Sequence, residues 1–174
     1  GAEDPGEQGI LRRADRLLQW AHWGYVYISV VVFSFLASWL GTAPLVHRAD
    51  GTSPDDARSG VVLRIASPDG GRLLPMALLE EDGLVGEYNR ANRSLHHFVE
   101  GAAAAALTIP FAGVVFPVPV LVLTVALAAG RVWHQQSFSA KAGGHSAASF
   151  LALACCAQLE MFVLLIALLI FRVF

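Results

Sequence analysis

Charge is what this chain has least of. Only 15% of its 174 residues are charged and 55% are hydrophobic, whereas a soluble domain carries about 25% charged residues. The net charge is −2, so no nucleic-acid partner is expected, because such binding draws on an excess of Lys and Arg to neutralise phosphates. Cysteine is scarce as well. Cys155 and Cys156 are the two present; they are neighbours in an apolar run, and helical geometry points adjacent side chains apart. That excludes a disulfide between them and leaves small buried residues as their reading. No spacing of the six histidines matches an established ligand motif, so no metal or haem site and no cofactor is expected.

What the chain has is apolar length. Residues 24–46, 100–116, 118–132 and 147–174 are runs of roughly the ~20 residues that cross a hydrocarbon core. They predict an all-α fold, a membrane four-helix bundle that uses residues 1–174 as one domain, with its second and third helices extended beyond lipid by polar turns. Pro44, Pro110, Pro117, Pro119 and the pair Gly143-Gly144 stand at or near the ends of the runs, where helix breakers cost least.

Four spans put the N-terminus, the Phe116-Pro117 turn and the C-terminus on one side, with Arg12, Arg13, Arg16 and Arg172. The other side holds Arg48, Arg58, Arg64, Arg72, Arg90, Arg93, Arg131 and Lys141, which makes it the cytosol, or the matrix of an organelle. Trp20, Trp23, Tyr25 and Tyr27 fit an aromatic belt at the opposite interface.

The chain opens on Gly1 rather than Met, and residues 1–7 carry neither a signal sequence nor a transit-peptide pattern, so any targeting segment is expected to have been removed. Residues 1–20 read as an acidic tail followed by a short interfacial helix, Leu11, Leu17 and Leu18 set against Arg12, Arg13 and Arg16. Such a tail frays unless something holds it, which points to a neighbouring protein. Residues 47–86 form a long extramembrane loop. Within it, Val61 to Ala66, the turn Ser67-Pro68-Asp69-Gly70-Gly71 and Arg72 to Met76 predict a hairpin. That hairpin is either a docking edge or a solvated connector.

Function is sought on the second helix, where a polar segment runs into the alanines 102–106. Arg90, Arg93, Ser94, His97, Glu100 and Gly101 recur at steps of three and four and share a face. Ionisable groups entering lipid need partners, because unpaired charge there costs kilocalories. The alternative is an ion-paired, snorkelling helix start. The third helix ends Arg131-Val132-Trp133-His134, and His145 follows before the fourth. Since these lie on the side where the second helix begins, Arg131, His134 and His145 are expected to converge with Arg90 and His97 as a basic pocket. It would suit an anionic ligand: a carboxylated thiol peptide, a lipid headgroup or a quinol oxygen. Glu160, roughly 20 Å into the fourth helix, is too deep to join them; a neutral, hydrogen-bonded carboxyl contacting the surroundings of Gln158 or another subunit is expected there rather than a proton relay.

Gly24-Tyr25-Val26 opening the first span, Asn89-Arg90-Ala91-Asn92 on the second helix and Gly130-Arg131-Val132 on the third resemble, in order and spacing, the MAPEG family of four-helix membrane proteins, which includes microsomal glutathione transferases and leukotriene C4 synthase. The resemblance covers residues 23–174. It implies a homotrimer with glutathione between adjacent subunits, an arginine that stabilises the glutathione thiolate, and attack on an apolar electrophile or reduction of a lipid peroxide. The family's Asn four residues after the first Arg is Ser94 here, and its Glu seven after is His97, although a slip of three supplies Glu100. The tyrosines expected after Arg131 fall on His134 and Phe138. His145 stands at the position of the thiolate-stabilising arginine, so an intermittent cation replaces a permanent one.

The expectation is therefore a MAPEG-like protein with a degenerate site, contacting membrane lipids and other subunits of a larger complex. The mitochondrial inner membrane and its respiratory chain come first, the endoplasmic reticulum membrane second. The alternative is a glutathione-dependent transferase or peroxidase for lipophilic electrophiles.

Overall fold

The computed structural model describes residues 23–46, 63–66, 76–79, 83–140 and 147–171. Four helices run through them: α1 (Trp23–Val46), α2 (Gly83–Val115), α3 (Pro117–Ala140) and α4 (Ala147–Ile170). Each is long and apolar enough to cross a membrane. At 1.5 Å per residue α1, α3 and α4 are about 36 Å long, enough for a ~30 Å hydrocarbon core. With 33 residues, α2 exceeds that thickness, so its polar N-terminal turns stand in the interface and beyond. The acidic tail and most of the long loop lie outside the described residues.

The chain folds as an antiparallel bundle. α1 packs on α2 and α3, α4 packs on α3 and α2, and α1 and α4 occupy opposite corners. The inward positions step by three and four: Val26, Ser29, Phe33, Leu36, Leu40 and Ala43 on α1, and Ala148, Ala152, Cys155 and Leu159 on α4. That alternation keeps one stripe of each helix facing its neighbours, as in bundles of shallow crossing angle. Phe33 meets Phe98 at 5.9 Å between ring centroids, and Phe116 stacks on Phe162 at 4.8 Å. The outward faces stay apolar, with Phe35, Leu107, Phe111, Val122 and Leu153 all exposed, as lipid allows and water does not.

The buried hydroxyls of Ser29 and Thr124 are satisfied within their own helices, because no solvent there substitutes for a missing partner. Ser29 donates to the Tyr25 carbonyl at 2.8 Å and Thr124 to that of Val120 at 2.8 Å. The connection from α2 to α3 is a single residue. The Phe116 amide donates to the Ala112 carbonyl at 2.8 Å, the Phe116 carbonyl accepts from Val120 at 3.0 Å, and the chain doubles back between them. Gly113 permits this reversal: a Cβ there would stand 3.2 Å from Val26 and 3.7 Å from Val120. Pro117 opens α3 at a position whose N–H would have had no helical partner.

Before α2, β1 (Leu63–Ala66) and β2 (Met76–Leu79) pair antiparallel with Leu63 opposite Leu79 and Ala66 opposite Met76. The sequence places the second strand at 72–76, and the structure sets it later, at 76–79. Residues 67–75, which hold the expected turn and most of the expected second strand, lie outside the described residues.

Candidate functional site

Where α2 and α4 stand apart over α3, a cleft of about 290 Å³ opens. It is lined by His97 of α2, Arg131 and His134 of α3, and Ser149, Phe150 and Leu153 of α4. Close packing of α3 on α4 holds its floor in place. Gly130 carries no side chain, and a Cβ there would meet the Ala148 carbonyl oxygen at 3.2 Å and the Ala152 nitrogen at 3.3 Å. The next residue, Arg131, is thereby delivered into the gap.

The Arg131 guanidinium carbon lies 5.9 Å from the centroid of the Phe98 ring, within cation–π range. The guanidinium also neighbours the Cys156 thiol closely enough to act on it electrostatically. Its Nε is buried and has no hydrogen-bond partner among the described residues. His134 is buried and stacks on Phe138 at 5.4 Å between ring centroids, while His97 on the opposite wall is exposed. One permanent cation, two imidazoles and a hydroxyl therefore converge, with no carboxylate in the lining. The apolar pair Phe150 and Leu153, both exposed, forms the flank next to lipid. This lining is complementary to an anionic head joined to an apolar body. The volume falls near the lower end for small-molecule sites, ~300 Å³, room for a headgroup or short polar moiety.

Of the residues singled out from sequence, His97, Arg131 and His134 share this cleft. Arg90 is half-buried and its Nε donates to the Ser139 carbonyl at the end of α3, at 3.0 Å. Ser94 is buried. Arg93 and Glu100 are exposed with His96 on the outward face of α2. His145 lies outside the described residues. Among those residues, no group of three His, Cys, Asp or Glu side chains stands together as a metal site.

Two features escape the sequence reading. The α4 wall is one, because Ser149, Phe150 and Leu153 sit in a helix that is apolar on every side; the lone hydroxyl of α4 was the available signal. Gln135 is the other. It is 2% exposed, its Nε2 donates to the Ala91 carbonyl at 3.3 Å, and its Oε1 is buried without a partner among the described residues. With Trp39, Thr42, Ala43, Val46, Gln136 and Ser139 it lines a smaller hollow of about 170 Å³ between α1 and α3.

No protein-family model, no curated protein and no solved structure matches this chain.

Proposed function

We propose that this chain is a MAPEG-like integral membrane protein with an eroded transferase site, serving as an accessory subunit of a larger membrane complex. The observation that carries this reading is the outward face of the bundle. Arg93, His96 and Glu100 on α2 and Glu160 on α4 are exposed, and no ion pair joins them among the described residues. Arg93 and His96 lie near enough to the arginine-rich interface to meet lipid phosphate, but Glu100 and Glu160 lie deeper, where lipid offers a carboxylate nothing. Surrounding protein supplies what lipid cannot.

The employment of the second-helix arginine supports the same reading. Arg90 donates to the end of α3, a structural task, and the cleft keeps Arg131 as its permanent cation with imidazoles beside it. The assembly we favour is one of the mitochondrial inner membrane, within the respiratory chain; the endoplasmic reticulum membrane is the alternative location. Purification from native membranes in mild detergent, followed by native electrophoresis and mass spectrometry, tests this. The chain is expected to migrate with other polypeptides; a homotrimer with nothing else attached overturns the reading.

The lipid-open position of Arg131 favours a second function, a glutathione-dependent transferase or peroxidase acting on lipophilic electrophiles. Preorganised positive charge in a water-poor cleft is what favours a thiolate at neutral pH. Calorimetry with glutathione decides. Binding that is lost in Arg131→Ala supports the enzyme, and no binding by the parent chain eliminates it.

A further inference from the structure

Glu160 is exposed, and among the described residues no hydrogen bond or ion pair reaches it, its electrostatic neighbour being the Cys156 thiol one turn away. Counting from the Ile170 end of α4, Glu160 lies about 15 Å into a ~30 Å hydrocarbon core, near the middle. Steps of four, three and four carry Ser149, Leu153, Cys156 and Glu160 along one flank of α4. Ser149 and Leu153 line the cleft against His97, so this flank faces α2. The matching flank of α2 descends from His97 through Gly101 to Ala104. It is built of small residues, and a Cβ at Gly101 would meet nothing within 4 Å. Glu100, beside that flank, lies about 22 Å from the Val115 end of α2. A shallow groove with small-residue walls thus holds two exposed carboxylates inside the membrane.

The described helices of a second copy of this chain do not complement Glu160. Copies in one bilayer share orientation and depth. The exposed bases on the described helices, His97, His96 and Arg93, lie about 27 to 33 Å from the same side, at least a dozen ångströms from Glu160's level by that estimate. Arg131, the deepest base, is laid over Phe98 beside Cys156 in its own cleft.

We infer that the α2–α4 groove seats a transmembrane helix of a different polypeptide, one carrying a Lys or Arg near mid-membrane that pairs with Glu160. The walls suit such an occupant, since small residues let helix backbones approach closely and so let a polar pair form out of lipid. This rests on the proposed role as a subunit of a larger assembly and names the chemistry of the neighbour.

The test uses the full chain in its native membrane, with a photoactivatable residue at position 104 in the groove or, as control, at position 35 on the exposed face of α1. The peptide cross-linked at 104 is expected to come from another polypeptide and to contain a Lys or Arg within an apolar span. The yield at 104 is expected to fall about tenfold in Glu160→Gln, with the yield at 35 unchanged. A cross-linked peptide from this same chain overturns the inference. So does a partner span without a basic residue, a signal at 104 no stronger than at 35, or full cross-linking in Glu160→Gln. Should that variant fail to accumulate, the identity of the peptide captured by the parent decides. Co-purification with other polypeptides but no capture at 104 overturns this inference alone, whereas purification as a lone homo-oligomer overturns the proposed function with it.

Discussion

Arg90 and Gln135 both tie α2 to α3, and the two ties differ in what their loss exposes. The Ser139 carbonyl is in the last turn of α3, where no amide of the helix follows to bond it. Arg90 Nε supplies the missing donor at 3.0 Å. Truncation to Ala leaves that carbonyl to fend for itself, so Arg90→Ala is expected to cost about 1 to 3 kcal/mol and to speed amide exchange in the last turn of α3. Thermal unfolding in detergent with hydrogen exchange reads both. Gln135 is different, because its tie is long, 3.3 Å, and its Oε1 is already buried without a described partner. Replacing the whole amide by Leu removes the donor and the orphan acceptor together. Gln135→Leu is therefore expected to stay within about 1 kcal/mol of the parent; a larger loss in the same melt would mean that a water or ligand engages Oε1.

At the scale of elements, α3 and α4 meet through a glycine. An added Cβ at Gly130 approaches two backbone atoms of α4, Ala148 oxygen and Ala152 nitrogen, at 3.2 and 3.3 Å, and backbone gives way less readily than a side chain. Gly130→Ala is expected to destabilise by about 1 to 3 kcal/mol through overpacking, with Gly130→Leu worse, while Gly101→Ala, facing open space, leaves the melting temperature near that of the parent. The same helices show what a sequence reveals. Their existence and order were legible, since apolar runs of membrane-spanning length leave few other readings, and Pro117 marked the reversal before α3. Their rotation was less legible. A helix apolar all round, as α1 and α4 nearly are, carries no preferred face. In α4 only the lone hydroxyl of Ser149 hinted at the wall that Ser149, Phe150 and Leu153 make of the cleft. On α2 the three-and-four spacing put Arg93, His97 and Glu100 on one side of the helix, but only packing shows that Arg93 and Glu100 point away from the bundle while Ser94, a step round, is buried. The second strand is a local case: Arg72 to Met76 had the apolar content of a strand, and the described strand shares only Met76 with it.

For the whole molecule, antiparallel packing of four spans fixes the sidedness of every segment once one is known. The Val46, Gly83, Ala140 and Ala147 ends of the helices lie on one side, and the Trp23, Val115, Pro117 and Ile170 ends on the other. Eight Lys and Arg that the chain order assigns to the first side against four assigned to the second predict that the first side faces the cytosol or matrix, because positive charge resists translocation. Cysteines placed at Ser53 and Ala2, with Cys155 and Cys156 replaced by Ala, read this out. In sealed vesicles of known orientation, a membrane-impermeant maleimide is expected to label Ser53→Cys from the cytosol-equivalent face alone and Ala2→Cys from the other face alone. Labelling of both from one face would leave an even number of crossings between them, contrary to α1 as a span. Labelling of each from the inverted face would keep the bundle and reverse its orientation. The cleft of Arg131 would then open toward the opposite leaflet, and an anionic ligand for it would have to be sought there.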